Sequence, residues 1–444
     1  MDTSRPGQVS ISRAAEANTA AGDVVCVASS QRGIYYATAT NLYLISGASG
    51  AETNHGTHGL ADDNSIPPTT RGIAVDDSGD VYLSGGKESG AEAIRRWKAN
   101  IGSPAFEDWS AKGADSLVFL NNALYGYLKS EGALYSWSTS GSATELHQFN
   151  DADGNDAEME GQLVAFGPRL MLMRTGSGTS AGPASGFHTE LWEYDGVGVA
   201  RTLTMPRNFI GWQMEVFQGS LFVSGYFIRH GPGGTNLEYK PAIYVVSGGT
   251  EVKLWEAYDY EDNIAFAPSL VGWDGKLWFP ARDPVTSALA TAGTSSTRLY
   301  SYDPDTGAIT PETTPPFLTA KMLSAASERF IFTGGSGSDS YTLYPDEDGS
   351  SESSGVIQTS LFDGDSTLQK HWESVQLEFD DASDGDGGTV NISRAFNSLE
   401  DADYSSVQTD AASGTEYKID AASREISLLI TLNKGTSARG PVLK

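Results

Sequence analysis

Gly33-Ile34-Tyr35-Tyr36, followed by Leu42-Tyr43, is a pair of short apolar-aromatic phrases that the chain writes seven times. Later copies of the first phrase are Asp80-Val81-Tyr82-Leu83, Ala123-Leu124-Tyr125-Gly126, Arg169-Leu170-Met171-Leu172, Ser220-Leu221-Phe222-Val223, Lys276-Leu277-Trp278-Phe279 and Arg329-Phe330-Ile331-Phe332. The second phrase trails each one, as Ile94-Arg95, Leu134-Tyr135, Leu191-Trp192, Ile243-Tyr244, Leu299-Tyr300 and Leu343-Tyr344. The period is about 49 residues, within the range of propeller repeats. Two phrases in fixed order at one period describe a single supersecondary unit repeated. The fold expected is therefore all-β: a seven-bladed β-propeller.

Outward from the phrases, each blade can be sketched. Inner strands are read at 72–75, 117–120, 163–166 and 269–272, and polar outer strands at 143–148, 200–203 and 251–256. Turns carry ordinary chemistry, with Asp-Asp-Ser-Gly at 76–79 and Asp-Gly at 274–275. The seventh repeat runs into the polar stretch 345–355 without a fourth strand. An orphan strand at Gln8–Ile11 is expected to supply it, because ring closure removes an exposed edge.

Beyond 355 the period breaks into alternating strands. Val375, Leu377 and Phe379 share one face, as do Ile426, Leu428, Ile430 and Leu432. About 90 residues of this kind form a small C-terminal β-sandwich. The expected domains are an N-terminal arm with a ring-closing strand (1–25), the propeller (26–344), a linker (345–354) and the sandwich (355–444). The last candidate strand stops at Lys444, so either the sandwich is short or the natural protein is expected to continue.

A net charge of −28 over 444 residues disfavours nucleic acid, since phosphates are repelled and basic clusters are lacking. Cys26 is the single cysteine, the first 20 residues have no apolar core of a signal peptide, and no run reaches membrane-spanning length. These features fit a protein assembled in a reducing cytoplasm.

Candidate sites are few. Asp151, Asp153 and Asn155 resemble the start of a calcium loop, but Asp156 stands where the loop needs Gly, and Gln162 where it needs Glu. Asp380, Asp381, Asp384 and Asp386 make a similar acidic turn. His55 and His58, near Asp62 and Asp63, have metal-ligand chemistry without a fixed third ligand, so a solvated loop is expected. Arg95 and Arg96 are adjacent on a strand and point opposite ways, which is wrong for a shared carboxylate clamp. No nucleophile elbow, Walker loop or H-E-x-x-H occurs, and no enzyme is expected. Trp109, Trp212, Trp255 and Trp372 lie outside the packing phrases and are freer to serve an interface.

The segments 73–85 (IAVDDSGDVYLSG) and 302–310 (YDPDTGAIT) resemble blades of YVTN/NHL and WD40-like propellers. The segments 355–364 (GVIQTSLFDG), 370–379 (KHWESVQLEF), 389–394 (TVNISR) and 439–444 (RGPVLK) resemble the sandwich that follows a propeller in many tailed-bacteriophage virion proteins. That resemblance implies a non-enzymatic tail, baseplate or neck component of the virion. It would be homo-oligomeric within the assembly, docked to other virion proteins through the sandwich with Trp372, Val356 and Phe362 at the interface, and open to a host-surface receptor. The alternative is a carbohydrate-binding or carbohydrate-active propeller with a lectin-like sandwich.

Overall fold

The computed structural model describes residues 9–10, 16–17, 24–46, 52–60, 72–86, 92–99, 105–149, 160–177, 187–230, 237–257, 269–282, 297–313, 323–326, 329–333, 340–343, 354–358, 370–380, 388–397, 403–433 and 442–443. They are almost entirely strand, with a 3-10 turn at Lys129–Glu131. No described helix is long and apolar enough to cross a membrane. The chain falls into two compact units, residues 17–308 with 314–345, and residues 1–16 with 309–313 and 346–444.

Successive four-stranded antiparallel sheets, the arrangement of a β-propeller, follow the sequence repeat. The first sheet orders Val24–Ser30, Gly33–Thr38, Asn41–Ser46 and Glu52–Thr57. The second is Ile73–Val75, Val81–Gly86, Glu92–Trp97 and Phe106–Ser110; the third is Ser116–Leu120, Ala123–Leu128, Ala133–Trp137 and Ala143–Gln148. The fourth spans Glu160–Phe166 to Val199–Thr204, the fifth Phe209–Phe217 to Thr250–Glu256, and the sixth Val271–Trp273 to Ile309–Thr313. In the seventh, Leu323–Ala326, Arg329–Thr333 and Ser340–Leu343 are followed by Glu16–Ala17.

The two phrases pair where the repeat requires. Tyr36 faces Tyr43, Gly126 faces Tyr135 and Val223 faces Tyr244 across neighbouring strands. The innermost strands neighbour one another in chain order, and Leu323–Ala326 lies beside Val24–Ser30. The apolar cores form between sheets. Tyr35, Leu42, Val81 and Leu83 fill the space between the first and second, while Tyr82, Ile94, Leu117, Leu124 and Trp137 fill that between the second and third.

Close packing there leaves no room for a side chain at some glycines. A Cβ on Gly161 of the fourth sheet would stand 2.3 Å from the Tyr127 ring of the third, and within the fifth sheet a Cβ on Gly225 would stand 2.1 Å from the Ile210 carbonyl oxygen. Polar ties also recur between inner strands: Leu163 N–H donates to Ser116 Oγ (2.9 Å), Met214 N–H to Gln162 Oε1, and Gly272 N–H to Glu215 Oε1 (3.2 Å).

One expectation is corrected. Val9–Ser10, the heart of the Gln8–Ile11 strand, pairs with Val442–Leu443 and not with the last repeat. The strand beside Ser340–Leu343 is Glu16–Ala17. Neither apolar content nor alternation marks a two-residue strand, so pattern alone favours the longer apolar stretch.

The second unit has a four-stranded sheet ordered Ser354–Gln358, Ile426–Asn433, Thr389–Phe396, Ser405–Gln408, and a two-stranded sheet of Lys370–Gln376 with Glu416–Ser423. Val390, Ile392, Ile430, Leu432 and Phe379 share its core. Val375 and Phe379, expected on one face of a single strand, fall on separate strands: Lys370–Gln376 pairs with Glu416–Ser423, while Phe379–Asp380 pairs with Val442–Leu443.

Candidate functional site

The site begins with a register shift. In the first sheet Leu42 faces Gly56 and Tyr43 faces Asn54, so His55 is an extra residue opposite the second phrase. In the second sheet Arg95 faces Asp108 and Ile94 faces Ser110, which leaves Trp109 extra. The same bulge singles out Leu146, Thr202 and Leu254 in the third, fourth and fifth sheets. Such bulges re-aim a side chain without ending the sheet. Trp109 and His55 are the aromatic members of the set.

Trp109 stands in an open cleft of about 480 Å³ between the second and third sheets, within the range typical of small-molecule sites. Tyr82, Phe119 and Trp137 line it with Trp109, and Asp76, Asp77, Ser78, Asn122, Ser138 and Thr139 give it a polar rim. Tyr82 meets Trp109 edge-on at 4.8 Å and Phe119 at 5.1 Å between ring centroids. Trp137 is fixed by donating from Nε1 to Ser110 Oγ at 3.1 Å. The Trp109 indole N–H is buried without a hydrogen-bond partner.

The ionic groups beside the cleft are committed to structure. Arg96 donates to Asp80 Oδ2 through Nη2 at 2.6 Å and Nε at 3.0 Å, and lies 5.4 Å over the Tyr82 ring. Asp80 Oδ1 accepts Ala99 N–H at 2.8 Å. Asp76 Oδ1 accepts the N–H groups of Ser78 and Asp80 and the Ser78 hydroxyl, which caps the turn. Its other oxygen takes the Tyr82 hydroxyl at 3.3 Å. Burial first, opposed by the Arg96 charge, raises the Tyr82 hydroxyl far above the ordinary tyrosine value. Two of the three carboxylates nearest the cleft are thus spoken for; Asp77 is exposed at the rim. The half-buried Trp109 and Phe119 offer ring faces, backed by the buried Tyr82 and Trp137, and the rim offers hydrogen-bonding groups.

A second perturbed group, Glu215, belongs to the ties between inner strands. Burial pushes its carboxyl up to about 7, against the lowering effect of the Gly272 N–H. A raised carboxyl can mark an active site. Here its position matches those of Ser116 and Gln162, which are neutral acceptors for the same type of bond.

The residues singled out from sequence fall as follows. His58 is fully buried and uses both ring nitrogens, Nε2 with the Thr38 carbonyl at 3.1 Å and Nδ1 accepting Leu60 N–H at 3.1 Å. It is a structural histidine and not part of a solvated loop. His55 instead packs at a tilt against Trp97, with centroids 4.1 Å apart. Asp62 and Asp63, the calcium candidates Asp151, Asp153 and Asn155, and Asp381, Asp384 and Asp386 lie outside the described residues. Among the described residues, no group of three or more His, Cys, Asp or Glu is placed to hold a metal.

Arg95 and Arg96 diverge as expected: Arg95 Nη1 donates to the His58 carbonyl at 2.7 Å, while Arg96 serves Asp80. Trp255 packs against Phe279 and Trp212 against Tyr226. Trp372 is half-buried with its indole N–H lacking a partner; Val356 lies on the strand Ser354–Gln358, and Phe362 is outside the described residues. Tyr82 and Trp137 are hidden from sequence reasoning because packing and site-lining demand the same residue types.

No protein-family model matches the sequence, and no curated protein matches it. Solved structures do match in fold. An ulvan lyase from a family of polysaccharide lyases aligns with a TM-score of 0.50 at 8% identity, covering 76% of this chain and 95% of that one. Virginiamycin B lyase from Staphylococcus aureus (0.44, 10% identity, 74% and 99%) and the WD40 propeller domain of Doa1 (0.43, 12%, 76% and 97%) are also similar. At such identities the likeness concerns architecture alone. The neighbours include enzymes and a WD40 propeller domain, and function must be argued from the site.

Proposed function

We propose that the chain is a non-enzymatic binding protein that takes a neutral saccharide in the cleft lined by Tyr82, Trp109, Phe119 and Trp137. The observation that carries this is four aromatic rings around one open cleft whose nearest cation, Arg96, is neutralised by Asp80. The part-exposed rings of Trp109 and Phe119 suit the C–H faces of a pyranose, and the rim of Asp77, Asn122, Ser138 and Thr139 suits its hydroxyls. A protein of charge −28 disfavours anionic sugars at a site with no free cation lining it. Calorimetric titration with neutral oligosaccharides chosen from a glycan array should show binding that Trp109→Ala weakens at least tenfold. Array binding confined to anionic glycans, or insensitive to Trp109, would sink the reading.

The resemblance of residues 355–444 to tailed-phage sandwiches supports a second role, as a virion subunit docked through that region. In this reading the cleft serves host attachment, and other virion proteins, including further copies of this chain, are the partners. The test is genomic: neighbours encoding tape measure, portal or tail tube favour it, and neighbours encoding glycan metabolism oppose it. The architecture we infer is a seven-bladed ring closed by Glu16–Ala17, followed by a linker at 345–354 and a sandwich at 355–444. The cyclic neighbour order of the inner strands supports the ring, and the shared core of Val390, Ile392, Ile430 and Phe379 supports the sandwich.

A further inference from the structure

Between the first and second sheets, three polar atoms end in apolar core without a partner. Tyr35 is 0% exposed and Trp97 3% exposed, and both pack among Leu42, Val81 and Leu83. The Tyr35 hydroxyl, the Trp97 Nε1–H and His55 Nε2 are buried and make no hydrogen bond. Their rings form a mutual triangle, with centroid separations of 4.1 Å for His55–Trp97, 5.9 Å for Tyr35–His55 and 6.1 Å for Tyr35–Trp97. Such groups are normally satisfied, and leaving one unmet is costly. Three on mutually packed rings call for a guest.

The chemistry of the three atoms selects the guest. An indole N–H can only donate, a phenol donates readily, and imidazole Nε2 donates in one of its tautomers. Arg32 adds positive charge: its field reaches both Tyr35 and His55, while its Nη2 donates to the Ser78 carbonyl at 3.4 Å. Arg32 acts on the Tyr35 hydroxyl through its charge and its side chain, while the Asp80 carboxylate, itself held by Arg96, acts in the opposite sense. We propose that Tyr35, His55 and Trp97, with Arg32 alongside, hold one small inorganic anion of halide size between the first two sheets. Burial, and then the Arg32 charge, lower the His55 pKa, so the anion is met by neutral donors beside the Arg32 guanidinium. The fourth-strand bulge places His55 there, just as it places Trp109 in the neighbouring cleft.

The test uses bromide as the probe on the full chain. Crystals grown in sodium bromide should give an anomalous peak among the three rings. At constant ionic strength, melting should rise when gluconate is replaced by bromide, since a ligand bound only to the folded state stabilises it. Tyr35→Phe, which keeps the ring, should raise the half-saturating bromide concentration at least tenfold; Trp97→Phe gives an independent loss of a donor. Density filled by water with no anomalous signal would overturn the proposal, as would melting indifferent to bromide in the native protein.

Discussion

Glu215 shows how one residue can look catalytic and be structural. Its carboxyl is pushed up to about 7 by burial while accepting the Gly272 N–H. A carboxyl raised in the folded state binds protons more readily there than in the unfolded chain, so stability should fall as pH rises from about 4.5 to 7. A tenfold change in proton affinity corresponds to about 1.4 kcal/mol, and partial solvent contact brings the total to roughly 1–3 kcal/mol. Glu215→Gln keeps the acceptor and removes the titration. It should be the more stable form at pH 8 by that amount, with the two proteins converging at pH 4, as urea unfolding at both pH values would reveal. Equal stability at pH 8 would show the carboxylate to be adequately solvated where it stands.

Among elements, Gly225 marks a place where two paired strands of the fifth sheet crowd each other beside a bulge. Gly225→Ala should cost about 1–3 kcal/mol or more, because the new Cβ meets the Ile210 carbonyl oxygen, which a rotamer change cannot move. Denaturant unfolding reads this directly. The two N-terminal strands make separable predictions. Removing residues 1–12 deletes the partner of Val442–Leu443, whereas removing residues 1–17 also deletes the strand beside Ser340–Leu343. The longer deletion should produce a distinctly larger fall in melting temperature, and equal falls would refute closure by Glu16–Ala17.

The strands bearing the phrases are legible in the sequence because aromatic and branched residues at Ile34–Tyr36 or Leu221–Val223 repeat at a fixed interval. The two-residue strand Glu16–Ala17 carries no such mark. The cleft is half legible: Trp109 stands out as a tryptophan beyond the phrases, but Tyr82 and Trp137 cannot be told from core. The bulges are invisible, since register depends on the partner strand and not on the pattern of either strand alone.

For the whole molecule, charge is the dominant long-range term. At −28 the folded chain repels itself, and screening should relieve that strain. Melting temperature should rise by a few degrees between about 10 and 300 mM of a salt of a weakly coordinating anion. A flat response would mean that the local pairs, such as Arg201 with Glu190 and Arg169 with Glu193, already balance the surface.

The recurring bulge has a bearing beyond any one ligand. His55, Trp109, Leu146, Thr202 and Leu254 occupy one structural address in five sheets, yet share no chemistry. An address whose occupant varies while its backbone does not is the natural substrate for diversification. A combinatorial library randomised at these five codons should retain the scaffold while scattering its binding preferences, much as hypervariable loops do on an unchanging framework.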